Sequence, residues 1–114
     1  MSSFQRLHVY QRAIELLTLT TNVAKTMPRG NADRVDQLFR ASESIVLNIA
    51  EGAGRWSLAD SAKHYKIARG EAMETAASLD VMRVHGVIEA AQYERGMRLA
   101  EEVVAMLTAM IRPR

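Results

Sequence analysis

The residues that could carry chemistry in this chain are few. Its three histidines, His8, His64 and His85, lie far apart. No Glu-x-x-His occurs, the pairing by which di-iron bundles take two ligands from one helix face. No metal site is expected, and the histidines read as surface or helix-end residues. With no cysteine, thiolate metal sites, disulfides and cysteine nucleophiles are excluded together, in keeping with a reducing cytosol. Gly52-Ala53-Gly54 superficially resembles a phosphate loop, but no Gly-Lys-Ser/Thr follows it and no strand precedes it. Ser42, Ser44 and Ser57 have no histidine at a spacing that marks a serine nucleophile. The expectation is a protein without cofactor that is not an enzyme.

What remains is Asn48-Ile49-Ala50-Glu51-Gly52-Ala53-Gly54-Arg55. Asn48, Glu51 and Arg55 stand at i, i+3 and i+7, on one helical face close to a helix end. One reading has Asn48 and Glu51 hydrogen-bond the following turn and the start of the next helix, locking a hairpin. The other places them on an intersubunit or ligand surface, with Arg55 free to contact phosphate. The charge that follows is uneven. Residues 55 to 70 carry Arg55, Lys63, Lys66 and Arg69 against Asp60, a local +3, whereas 71 to 94 carry Glu71, Glu74, Asp80, Glu89 and Glu94 against Arg83, a local −4. This order opposes the helix dipole, which favours acids early and bases late. A head-to-tail ring could set the basic zone of one copy on the acidic zone of the next. Alternatively, Arg55, Lys63, Lys66 and Arg69 contact the phosphates of RNA or DNA. The plainest reading is a solvated face with scattered ion pairs.

The elements that must position these residues follow from apolar spacing. At 114 residues and 12.7 kDa, with 48% apolar and 25% charged residues, the chain fits one globular domain over 1–114. Its prolines fall at Pro28 and Pro113, leaving the chain between them uninterrupted. Val9, Ala13, Leu16, Leu17, Thr20, Val23, Ala24 and Met27 mark a helix over about 5–27. Asn31 is expected to cap a second over about 32–53, striped by Val35, Leu38, Ser42, Ile45, Ile49 and Gly52, with Phe39, Val46 and Ala50 alongside. Ser57 and Asp60 approximate a capping box for a third over about 58–85, striped by Tyr65, Ala68, Ala72, Thr75, Leu79 and Met82 and ended by His85-Gly86. Tyr93, Met97, Ala100, Val104, Leu107 and Ile111 stripe a fourth over about 90–111, with Pro113 closing the chain.

Four such helices on short connections predict an all-α, antiparallel up-down-up-down four-helix bundle. Gly52 and Gly70 are expected at close helix contacts. Six aromatic residues and no alternating pattern disfavour a sheet-based module with exposed stacking rings. The longest apolar stretch, 103 to 111, is about half of what a membrane span needs, and the N-terminus lacks the apolar centre of a secretory signal, so the protein is read as soluble and cytoplasmic.

Arg40-Ala41-Ser42-Glu43-Ser44-Ile45, then Asn48-Ile49-Ala50-Glu51-Gly52, Gly54-Arg55 and Ser57, resemble the signature of the bacterial four-helix-bundle proteins first associated with intervening sequences in large-subunit ribosomal RNA. Ile67-Ala68-Arg69-Gly70 with Glu74 and Leu79 is similar to that family's second block, and the match runs through essentially the whole chain. Asn48, Glu51, Gly52, Gly54, Gly70 and Glu74 are thereby implied as structural positions. Glu71 departs from the small hydroxyl residue usual after the helix-three glycine. The family also includes the accessory variability proteins of diversity-generating retroelements. The resemblance therefore implies a barrel-like homopentamer that binds nucleic acid and a reverse transcriptase. Five copies of +2 would give such a ring +10. The competing class is a protein-interaction scaffold that spends its charge asymmetry on assembly.

Overall fold

The computed structural model describes residues 3–112. A 3-10 turn, Ser3–Arg6, leads into α1 (His8–Lys25), α2 (Ala32–Ala53), α3 (Leu58–Val84) and α4 (Ala90–Ile111), with no strand among the described residues. Contacts join α1 to α2, α2 to α3, α3 to α4 and α4 back to α1, with no diagonal pair in contact, so the helices occupy the corners of a square. Side-chain bonds give the directions. Ser61 meets Gly52 and His64 meets Asn48 across α2 and α3; Arg69 meets Thr108 and Asp80 meets Tyr93 across α3 and α4. Each pair is antiparallel, making the expected up-down-up-down bundle, 45 × 24 × 21 Å in extent.

The apolar stripes converge on one core. Leu16, Leu38, Ile45, Ile49, Leu79, Met82, Val103 and Leu107 are completely buried. Thr20 and Ser42 lie among them, where Thr20 Oγ1 donates to Ser42 Oγ at 2.9 Å and Ser42 Oγ donates to the Leu38 carbonyl at 2.8 Å. No buried side-chain polar atom among the described residues lacks a partner, as a dry interior requires. A buried hydroxyl committed to a helix carbonyl is no nucleophile, which disposes of Ser42.

Several details depart from the sequence expectations. Helix α1 starts at His8 rather than near residue 5 because Leu7 is extended, its side chain against the core, while Phe4 meets Tyr10 edge-on at 5.1 Å. Asn31 stands at the N-cap of α2 as expected, but its side chain makes no capping bond. Its amide turns back and donates to the Pro28 carbonyl at 2.9 Å. Phe39 is exposed, and Ala41 fills the flank assigned to it. In α1, Leu19 is buried whereas Leu17 is only half-buried. In α4 the buried face is rotated by about one residue, to Gly96, Leu99, Ala100, Val103 and Leu107, leaving Tyr93, Met97, Val104 and Ile111 half-buried. The cause is Gly96: a Cβ there would stand 2.7 Å from Leu79 Cδ1 and 3.2 Å from Leu19 Cδ2, so the missing side chain lets α4 approach along that face. Pro113 lies outside the described residues.

The third helix begins and ends as its residues dictate. Ser57 Oγ accepts from the Asp60 N–H at 3.1 Å, and at the other end Gly86 adopts φ 71°. The Gly86 N–H then bonds the Arg83 carbonyl and the Val87 N–H the Met82 carbonyl, both at 3.0 Å, with Val87 against the core. This is the Schellman arrangement, and glycine reaches its left-handed backbone at no steric cost. No described helix is long and apolar enough to cross a membrane.

Candidate nucleic-acid interface

The α2–α3 turn and the first half of α3 hold the four cations singled out by sequence. Helix α2 runs to Ala53, where the Gly54 N–H bonds the carbonyls of Ala50 and Glu51. Below the turn Ser61 Oγ donates to the Gly52 carbonyl at 2.7 Å, and Asn48 Oδ1 stands 3.3 Å from His64 Nδ1, while the Asn48 amide donates to the Ser44 carbonyl. Gly52 is what allows the two helices to close here. A Cβ on it would fall 2.5 Å from Cε1 of Tyr65, a ring whose burial raises its hydroxyl pKa. The hairpin lock anticipated for Asn48 and Glu51 therefore exists. Asn48 reaches α3, Glu51 holds the turn through Arg55, and Ser61 completes it.

The four cations differ. Arg55 is exposed and its guanidinium is held by Glu51 at 2.8 Å. Lys63 and Lys66 are exposed on the outward face of α3 and have no partner within the described chain. Arg69 is half-buried, its Nε donating to Thr108 Oγ1 at 2.8 Å and its Nη1 lying 3.7 Å from Met73 Sδ. It bolts α3 to α4 and is the least available of the four to a phosphate.

Gly70 corrects a sequence expectation: a Cβ added to it meets nothing within 4 Å, because the residue faces outward. Glu74 is exposed beside half-buried Glu71, whose carboxyl pKa is raised by burial first and by the charge and hydrogen bond of Glu74 second. Asp60 precedes His64 by four residues and Glu89 follows His85 by four, spacings compatible with metal ligation. No group of three His, Asp or Glu side chains among the described residues could hold an ion, however. His8 and His85 are exposed at helix ends, whereas His64 is half-buried against Asn48.

Sequence reasoning passed over three residues at this end of the bundle. Trp56 is 104% exposed, with its whole ring in solvent. Arg6 belongs to the 3-10 turn beside the start of α1, and Arg112 follows the end of α4. A tryptophan in a turn, outside every apolar stripe, was a signal legible in the sequence. The two arginines come together with it only through the antiparallel topology.

The outward face of α3 is also apolar in part. Ile67, Met73 and Val84 are exposed there among charged residues such as Lys63, Lys66 and Glu74, outside the buried stripe. Between α3 and α4, Met73, Ala77, Val104 and Ala105 line an open groove of about 420 Å³ with Asp80 and Glu101 at its edge.

No curated protein matches the chain. Among solved structures, a protein of unknown function from the S23 ribosomal protein family of Bacteroides thetaiotaomicron superposes with a TM-score of 0.84 at 26% identity, over 92% of this chain and 99% of that one. The family model described as 23S rRNA-intervening sequence protein matches residues 5–109. With nearly the whole chain matched in sequence and fold, it belongs to the 23S rRNA-intervening sequence protein family.

Proposed function

We propose that this protein is a non-enzymatic, RNA-binding accessory protein that works as a homo-oligomeric ring, five-fold as the family resemblance implies, in association with ribosomal RNA. The observation that carries the reading is the pair Lys63 and Lys66, two ammonium groups on one exposed helix face with no ion-pair partner among the described residues. Arg55 adds to them as a cation pinned in place by Glu51. Phosphate is the ligand such a face suits, and a ring would repeat it around an axis. The exposed Ile67, Met73 and Val84 on α3 support assembly, since a contact between copies would take them out of water.

Filter binding to a structured RNA tests the proposal. Binding is expected to weaken steeply as salt rises, and to weaken further in the Lys63→Glu/Lys66→Glu variant. Absent or salt-independent binding would refute it. A second reading, a protein-interaction scaffold without an RNA role, draws on the α3–α4 groove, whose Asp80 and Glu101 could receive the basic zone of a neighbouring copy. In that case the same charge reversal would dissociate the ring. A retroelement role with a reverse transcriptase as partner would be assigned by a reverse-transcriptase gene and paired template and variable repeats beside the coding sequence.

A further inference from the structure

We propose that Trp56, with the cations gathered at its end of the bundle, forms a stacking site for unpaired nucleotides of RNA. The inference rests on the RNA-binding reading and adds to it the form of RNA that is recognised.

Trp56 is the single tryptophan of the chain. Its ring has no aromatic or cationic neighbour in the described chain and its indole N–H has no acceptor. A large apolar ring left wholly in water forfeits the burial that normally stabilises it, and has that area to gain from a flat partner that covers it. The ring is nevertheless carried on a fixed support. The residue before it is tied to Glu51 at 2.8 Å, the residue after it caps α3 through the Asp60 N–H, and Ser61 bonds Gly52 beneath the turn. A turn held in this way with a free flat face suits stacking, because only the two side-chain torsions of the tryptophan need be ordered when a base settles on it.

Charge identifies the occupant. The antiparallel topology brings Arg6, Arg55, Lys63 and Arg112 to this end of the bundle, against Glu51, already paired with Arg55, and Asp60 in the first turn of α3. Arg112 lines an open groove with Leu58 and Met110 between α3 and α4, and Arg55 lines another with Leu47 and Gly54 at the end of α2. One end of the bundle thus carries both basic side chains and a free aromatic face, the two parts by which single strands are held, phosphates on the cations and a base on the ring. A duplex keeps its bases stacked inside and has no free face to offer the ring.

Because Trp56 is the only tryptophan, its fluorescence reports the site directly. A 12-nucleotide unstructured RNA is expected to quench the emission to saturation, and a 12-base-pair RNA duplex of the same sequence to leave it almost unchanged. Trp56→Ala, which removes no contact within the chain, is expected to weaken single-strand binding about tenfold, with duplex binding held within twofold and Trp56→Phe largely restored. RNA binding that leaves the emission and the Trp56→Ala affinity unchanged would overturn the stacking site while sparing the RNA-binding reading. Failure to bind either RNA form by filter assay would overturn both. A Trp56→Ala protein that sediments as a smaller species would assign the indole to a contact between copies and so overturn the proposal.

Discussion

Replacing Gly52 by alanine tests the joint on which the whole interface is mounted. The added Cβ would stand 2.5 Å from Cε1 and 2.8 Å from Cδ1 of Tyr65, where ordinary carbon contacts lie at about 3.5–4.0 Å. Tyr65 is buried in the core, so relief requires α2 and α3 to separate by roughly 1 Å. Overpacking of this kind costs about 1–3 kcal/mol. Alanine returns about 1 kcal/mol of helix propensity, leaving a net loss of up to about 2 kcal/mol. For a domain of this size each kcal/mol lowers Tm by about 4 °C or more, a shift that thermal unfolding followed by circular dichroism resolves easily. The cycle with Tyr65→Leu isolates the cause. In that background the ring is gone and Gly52→Ala is expected to become neutral or stabilising. If Gly52→Ala raised Tm with Tyr65 present, or cost as much without it, the steric account of this joint would be wrong.

Other expectations follow from the same geometry. Gly70→Ala, whose methyl meets nothing within 4 Å, should stabilise the dilute protein by about 1 kcal/mol in urea unfolding; a loss instead would show Gly70 packed against something. For Glu71 the folded pKa is raised, chiefly by burial and then by Glu74, so its charged form is disfavoured on folding and stability falls as pH rises through the raised value. Glu71→Gln is therefore expected to gain about 0.5 kcal/mol or less near pH 7, given the partial solvent exposure, and to lose that gain near pH 4. An equal Tm difference at both pH values would contradict this. If the proposed ring forms, Lys66→Glu is expected to leave its sedimentation coefficient unchanged, whereas smaller species would move the basic zone from RNA to assembly.

The fold was legible because its signals are periodic and mutually consistent. The α3 stripe from Tyr65 to Met82 is buried as its spacing predicts, and Ser57 and Gly86 bound the helix as their chemistry requires. What was not legible depends on relations between helices. The rotation of α4 is set by Gly96 against Leu79 and Leu19, two residues on other helices. The Asn31 side chain could turn its oxygen to the N–H groups of the helix end or its amide to the Pro28 carbonyl, and it does the second. Of the candidate cations, spacing selects all four alike. Only the packing separates Arg69, fastened to Thr108, from Lys63 and Lys66, which have no partner among the described residues. Trp56 was visible but undervalued, because a count of aromatics says nothing about which one is left in water.

The account depends on Lys63 and Lys66 meeting phosphate, and the salt dependence of RNA affinity measures that directly. The affinity of the Lys63→Ala/Lys66→Ala protein for a single-stranded RNA, followed across a potassium chloride series, is expected to fall less steeply than that of the parent. The log–log slope should be smaller by about 1.4 for each engaged copy, since each neutralised phosphate on a single strand contributes about 0.7. Identical slopes for the two proteins would contradict the account.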